Sequence, residues 1–188
     1  LSSAASDVYK RQQRAAAVLF IPLLVVQLVH YWGGDEQELA QMLEVKTNPG
    51  MTTSLTLSDG TVVFLNSESR LTYPSHFNGD TRNVTLQGEA YFEVSKDPKH
   101  PFIVQTETID VQVLGTHFNV DAYHDNLDVK TTLLSGSVAV SNKSKSVRMV
   151  LKPNEIAIYN KVEEKLTRKV LENAEDEISW RQGEFIFD

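Results

Sequence analysis

Apolar and polar residues alternate with a period of two over most of the chain from Thr52 to Ile158. Leu55 and Leu57 are followed by Asp59-Gly60, and Val63 and Leu65 alternate on the return. That pattern predicts a β-hairpin, because glycine accepts positive φ without steric cost. The same period recurs in Val84-x-Leu86, Ala90-x-Phe92-x-Val94, Phe102-x-Val104, Ile109-x-Val111-x-Val113, Phe118-x-Val120, Val138-x-Val140 and Ile156-x-Ile158. Turn signals separate these runs, among them Tyr73-Pro74, Asn78-Gly79-Asp80, Asp97-Pro98, Asp125-Asn126 and Lys152-Pro153-Asn154. Many short strands at this spacing predict a mainly β fold, a jelly-roll-like two-sheet β-sandwich. The absence of a βαβ rhythm argues against the nucleotide-binding α/β folds. The expected core is Leu57, Val63, Leu65, Leu86, Phe92, Val94, Val104, Val113, Phe118, Val138 and Ile158, with turns at Gly88 and Gly136. Leu86-Gln87-Gly88 and Leu134-Ser135-Gly136 echo each other across 48 residues, two matches that do not make a repeat.

The two ends of the chain break this period. Ala15 to Trp32 reads AAAVLFIPLLVVQLVHYW, with no full charge. Spanning a bilayer takes about 20 mostly apolar residues. Arg14 precedes the run, Asp35, Glu36 and Glu38 follow it, and Tyr31 and Trp32 lie at the far edge, where interfacial aromatics sit. Residues 13–32 are therefore expected to be a single-pass anchor. The positive-inside rule places the N-terminus in the cytoplasm and everything after Gly33 outside. Two other readings were weighed. A buried core helix fits poorly with the charge-bounded ends, and a cleaved signal peptide lacks a small-residue cleavage site. Asp7-Val8-Tyr9-Lys10-Arg11-Gln12 resembles the translation of a sequencing-library adapter, so residues 1–12 are set aside as an artefact. Residues 33–51 read as a linker with a short helix, from the i, i+3, i+4 spacing of Leu39, Met42 and Leu43. Residues 163–188 read as a charged helical linker, with Leu171, Ala174 and Ile178 near helical spacing. The run Trp180 to Phe187 then reads as the start of a strand entering a further, truncated domain.

Composition sharpens this division. The 188 residues carry 18 Lys+Arg and 25 Asp+Glu, a net charge of −7. Removing Lys10, Arg11, Arg14 and Asp7 leaves 15 basic and 24 acidic residues after Trp32, a balance of −9. The external part thus lacks the charge of a nucleic-acid binder. The chain has no cysteine, which excludes a disulfide scaffold, an iron–sulfur site and a thiol nucleophile.

Candidate chemistry is sparse. His117 and His124 lie seven apart with Asp121 and Asp125 nearby, but no His-x-His pair exists, so surface histidines outweigh a metal site. Glu89 and Glu93 sit on one strand face about 13 Å apart by strand rise, too far for paired-carboxylate glycoside chemistry. A solvated strand face is the expectation for both. No Gly-x-Ser-x-Gly elbow or phosphate-binding glycine loop occurs, and no cofactor is expected. Gly115-Thr116 interrupts two strand-like runs, which signals a bulge or a close backbone approach. Chemically, a threonine hydroxyl next to a strained glycine carbonyl could also nick the chain there.

Four ordered motifs carry a resemblance. Leu57-Ser58-Asp59-Gly60-Thr61-Val62-Val63-Phe64-Leu65-Asn66 and Ser69 to Pro74 resemble the opening of FecR-type periplasmic domains. Arg82-x-Val84-x-Leu86-x-Gly88-Glu89-Ala90-Tyr91-Phe92-Glu93-Val94 resembles that family's central motif. Pro101-Phe102-x-Val104 and Val113-Leu114-Gly115-Thr116-x-Phe118-Asn119-Val120 resemble the next two. The likeness covers about residues 52–160, in the style of Bacteroidetes members, and residues 52–162 are read as the β-domain. It implies a non-enzymatic inner-membrane regulator, an anti-sigma factor with a periplasmic β-domain. Its implied partners are an extracytoplasmic-function sigma factor, held by an N-terminal region missing here, and the signalling domain of a TonB-dependent outer-membrane transporter. The resemblance also implies that Gly115-Thr116 matches a pair at which some relatives self-cleave. A periplasmic or surface carbohydrate-binding module is the alternative, with Tyr73, Tyr91 and Tyr123 as candidate stacking residues. A metal-dependent jelly-roll enzyme lacks its ligand motif.

Overall fold

The computed structural model describes residues 13, 18–29, 31 and 40–182. The chain forms two units, residues 1–39 and 40–188. In the first, residues 18–29 are helical and their apolar side chains, such as Leu19, Phe20 and Ile21, are exposed. Among the described residues no helix is long and apolar enough to cross a membrane. The suspected adapter residues 1–12, residues 14–17, 30 and 32 of the expected anchor, residues 33–39 and the part of the expected terminal strand beyond residue 182 lie outside the described residues.

The second unit is mainly β. Its strands are β1 (Met42–Lys46), β2 (Thr53–Thr56), β3 (Val62–Leu65), β4 (Arg70–Pro74), β5 (Arg82–Glu93), β6 (Phe102–Gln105), β7 (Ile109–Val113), β8 (His117–Ala122), β9 (Asp128–Ser135), β10 (Val138–Asn142), β11 (Arg148–Leu151), β12 (Glu155–Asn160) and β13 (Lys165–Val170). They form two sheets joined into one barrel-like network. The first runs β11-β10-β7-β6-β5-β4-β1 and the second β2-β3-β5-β8-β9-β12-β13. All pairs are antiparallel except β5 with β6, whose parallel register departs from simple jelly-roll wiring.

Strand β5 belongs to both sheets. Its residues Thr85 to Gln87 pair with β4, and Arg82 to Thr85 with β6. From Gly88 onward it pairs with β8, and from Ala90 with β3. Gly88 sits at the change of sheet with φ +89°, a conformation side chains of L-residues rarely adopt. A Cβ there would lie 2.3 Å from Ser69 Oγ and 2.8 Å from Ser69 Cα. The strand needs glycine both for its backbone angle and for the contact across it.

The core lies between the two sheets. Phe92 on β5 stacks on Phe118 of β8, with centroids 5.1 Å apart and rings 13° from parallel. Phe92 also meets Phe102 of β6 at 6.1 Å. One ring therefore joins the first sheet to the second. All three are fully buried, and burying a side chain of this size stabilises by about 1.5–3 kcal/mol. Of the expected core residues, ten are buried and Ile158 is not. On β12 it is Ala157 and Tyr159 that face the core. Alternation identifies two faces but does not say which turns inward, so Ile158 was assigned to the wrong side.

Three further expectations change. Residues 42–46 are a strand, not the helical stub expected in 33–51, because they pair with β4 from Met42↔Pro74 to Lys46↔Arg70. Residues 165–170 are also a strand, pairing with β12 and ending the second sheet, where a helical linker was expected. Helix was expected around Ala174 and Ile178 and is found there as a 3-10 helix, Ala174–Gln182; it also takes in Trp180, Arg181 and Gln182, where the strand was expected to begin, because Arg181 is drawn onto Phe64, Tyr91 and Glu93. Tertiary pairing overrides weak local periodicity in the two strands.

Gly88→Ala is expected to lose at least about 1–3 kcal/mol from backbone strain alone, with the Ser69 clash added. Urea unfolding followed by circular dichroism measures it, and a midpoint equal to the parent's would refute this account of Gly88.

Candidate functional site

Several of the residues that carry the resemblance gather in two clusters along β5. The first is centred on Arg82, at the start of the strand. Its guanidinium donates from Nη1 to Asp59 Oδ2 at 2.6 Å and to the Ser95 carbonyl at 3.0 Å, and from Nε to the His100 carbonyl at 2.8 Å. It also lies over the Phe102 ring, 5.4 Å from the centroid. The Arg82 side chain is 3% exposed and Asp59 12%. Asp59 is held in turn by the hairpin it starts, accepting from the Thr61 N–H and the Thr61 hydroxyl. Gly60, φ +81°, completes that turn, and its N–H donates to the Leu57 carbonyl. Pro101 contributes its carbonyl to the Arg82 N–H. Asp59, Gly60, Arg82, Pro101 and Phe102 are thus one device, in which a buried cation ties the β2–β3 hairpin to the loop before β6. Removing one partner of such a pair costs about 3–5 kcal/mol, since the other is left buried and uncompensated. The role of this cluster is structural.

The second cluster is centred on Glu89. The expectation of a solvated face fails here. Glu89 Oε2 accepts from Asn66 Nδ2 and Oε1 from Asn119 Nδ2, each at 2.7 Å. Its own N–H donates to Ser69 Oγ. Burial pushes its carboxyl above the ordinary 4.5, and Asp121 nearby adds to this, while the two asparagine bonds oppose it. The physical reason is the 3-10 helix Ala174–Gln182, which covers the outer face of the second sheet. Trp180 brings its indole towards Glu89, close enough to favour the carboxylate slightly. Even so, the buried Trp180 Nε1 and Asn119 Oδ1 find no hydrogen-bond partner of good geometry. The neighbouring Arg181 stacks over Tyr91 at 4.6 Å and Phe64 at 5.1 Å, and pairs with Glu93 at 3.0 Å. The sequence shows Asn66 and Asn119 only as members of the motifs, and Trp180 and Arg181 only in the terminal run, with nothing to place any of them at Glu89. The available signal was Asn119, a polar residue wedged between Phe118 and Val120.

Gly115 and Thr116 lie in the link from β7 to β8. Gly115 has φ +144°, and a Cβ on it would come 2.6 Å from Lys96 Cα. The close-approach reading holds. Thr116 is buried, and its hydroxyl donates to the Ser137 carbonyl at 3.1 Å. Gly136, φ +94°, packs on the same peptide: a Cβ on it would lie 3.2 Å from the Gly115 carbonyl oxygen. The Thr116 carbonyl accepts from the Val94 N–H, which ties this link to the end of β5. Val94, Phe118 and Val120 are core residues.

The remaining candidates stay apart. His117 is exposed on β8, and His124 lies in a loop with Nδ1 2.9 Å from Glu107. Among the described residues no group of three metal-binding side chains exists. Of the tyrosines considered for sugar stacking, Tyr91 is buried beneath Arg181, and Tyr123 turns its hydroxyl inward to the Ser67 carbonyl.

The raised Glu89 pKa fixes the sign of a pH effect. Between the unfolded value and the higher folded value the native state binds more protons, so this group's contribution to stability falls as pH rises. Glu89→Gln removes the charge, and a flipped Asn119 can offer its now-orphaned oxygen to the new amide. The variant's stability relative to the parent is expected to improve as pH rises from about 4.5 to 7. Paired urea titrations test this, and a parent that gains on the variant over that range would refute it.

Comparison with known proteins bears on these clusters. The profile of the FecR protein family matches residues 44–139, which hold both the Arg82 and Glu89 centres and the Gly115–Thr116 link. Two crystal structures of a "putative anti-sigma factor" from Parabacteroides distasonis superpose on the chain. The 2.50 Å structure has a TM-score of 0.74 at 37% identity, covering 79% of this chain and 68% of its own. The 1.65 Å structure has a TM-score of 0.73 at 38% identity, covering 78% and 68%. Among curated proteins none matches. With half of its length under the family profile and relatives above 30% identity, this chain belongs to the FecR protein family.

Proposed function

We propose that the chain is part of an anti-sigma regulator: a single-pass inner-membrane protein whose β-domain lies in the periplasm and relays a signal inward. The observation that carries this reading is the match to the family and to relatives described as anti-sigma factors. The uncharged run Ala15 to Trp32, with Arg14 before it and acids after it, supports the anchor and its orientation. Under this reading an extracytoplasmic-function sigma factor binds on the cytoplasmic side. The external β-domain answers the signalling domain of a TonB-dependent transporter.

The reading extends to Gly115–Thr116. The Thr116 hydroxyl is buried beside a glycine whose carbonyl no side chain shields at its own residue. An attack of that hydroxyl on the Gly115 carbonyl carbon would move the acyl group from nitrogen to oxygen, and water would then release two chains. Both halves would remain paired through the sheets.

Two outcomes are expected. Deleting the gene should change transcription of the neighbouring transporter operon by several-fold on at least one nutrient, and unchanged transcription on all nutrients tried would overturn the regulatory reading. Intact-mass spectrometry of purified protein should reveal a fragment beginning at Thr116, which Thr116→Ala abolishes. A single full-length mass after days of incubation would dispose of self-cleavage without touching the regulatory reading.

A further inference from the structure

The outer face of the second sheet carries a cross-strand row that does not belong to the core. Register aligns Phe64 with Tyr91, Tyr91 with Asn119, Asn119 with Thr132 and Thr132 with Ile156, across β3, β5, β8, β9 and β12. Tyr91, Asn119, Thr132 and Ile156 are buried, although none is in the main hydrophobic cluster. The 3-10 helix Ala174–Gln182 lies over this face, with its own Ala174 and Ile178 buried.

This cover is held on unusual terms. A 3-10 helix of nine residues is long for its kind, since runs beyond three or four residues are uncommon and often mark a hinge. Its first turn carries Glu175, Asp176 and Glu177, and its seat already presents Glu89, Glu93 and Asp121. Two polar atoms at the contact are poorly met: Asn119 Oδ1 is buried without a hydrogen bond, which works against closure, and Trp180 Nε1 reaches Glu89 only without good geometry. Against this stands Arg181. Its guanidinium lies over two rings and pairs with Glu93, while a quarter of its side chain remains exposed. The contact is therefore concentrated in one partly exposed cation and a few buried side chains. The sandwich beneath closes its own core without them.

We infer that Ala174–Gln182 is a releasable strap: it lifts from the second sheet while the sandwich stays folded, and the seat of Arg181 on Phe64, Tyr91 and Glu93 governs how often it lifts. Lifting bares a ring pair flanked by carboxylates on β5, the strand common to both sheets. This device does not depend on which partner the protein serves.

Hydrogen exchange on the full 188-residue chain in mild detergent tests it. Amides of the strap should exchange at least about tenfold faster than those of Phe92 and Val120, as expected for a local opening. Arg181→Ala should raise strap exchange by about a further tenfold, the scale of a partly desolvated cation–π contact with its ion pair, and leave the Phe92 and Val120 amides unchanged. Arg181→Lys keeps the charge for Glu93 but loses the flat guanidinium, so it should fall between the two. In a Trp32→Phe background, acrylamide quenching of Trp180 should rise in the same order. Strap amides that exchange in step with Phe92 and Val120 would show a fixed part of the body and end the inference. Fast exchange that ignores both Arg181 substitutions would remove Arg181 as the governing contact and overturn it as stated.

Discussion

Everything in the β-unit depends on one strand serving two sheets. β5 is twelve residues long, and its two halves have different neighbours. A strand that changes sheets must bend or bulge at the crossing, and Gly88, with its positive φ, sits at that point. On either side of it the side chains facing inward, Val84 and Leu86 before and Ala90 and Phe92 after, enter the same core. The Phe102–Phe92–Phe118 contacts then bind the sheets through ring packing as well as through the shared strand.

The two ends of β5 are secured by different physics. At Arg82 a buried cation is neutralised by Asp59 and saturated by loop carbonyls, so it has little freedom to rearrange. At Glu89 the balance is finer. The carboxylate is enclosed by two amide donors, and its burial is penalised, with the covering helix contributing an indole that is not properly bonded. One end is an anchor point and the other is adjustable.

Much of this was legible in the sequence, and the failures have identifiable causes. Alternation located most of the strands, because a strand with one buried face must repeat with period two. The Asp59-Gly60 turn followed from backbone sterics alone, whereas Gly88, expected at a turn, lies inside β5, where its positive φ serves the change of sheet. β1 and β13 were not legible. They are edge strands with mostly exposed residues, so their polar–apolar pattern carries almost no signal, and only pairing with β4 and β12 defines them. Ile158 shows the complementary limit, since parity does not tell inside from outside. The Glu89 cluster was hidden for a third reason. Its members come from positions 66, 89, 119 and 180, and its burial depends on the 3-10 helix crossing the sheet far along the chain.

The order in which β5 acquires neighbours has a consequence for biosynthesis. Its partners β3 and β4 precede it in the chain, whereas β6 and β8 follow. A ribosome delivering the chain from its N-terminus therefore presents β5 with one side paired and the opposite side bare. That bare side persists until residue 122 has emerged. A long, apolar, half-matched strand is a template for any other extended chain nearby. The nascent domain is most vulnerable to misassociation in that interval. Its finished perimeter is guarded on one side by β13, whose Lys165, Arg168 and Lys169 make a poor surface for another strand to join.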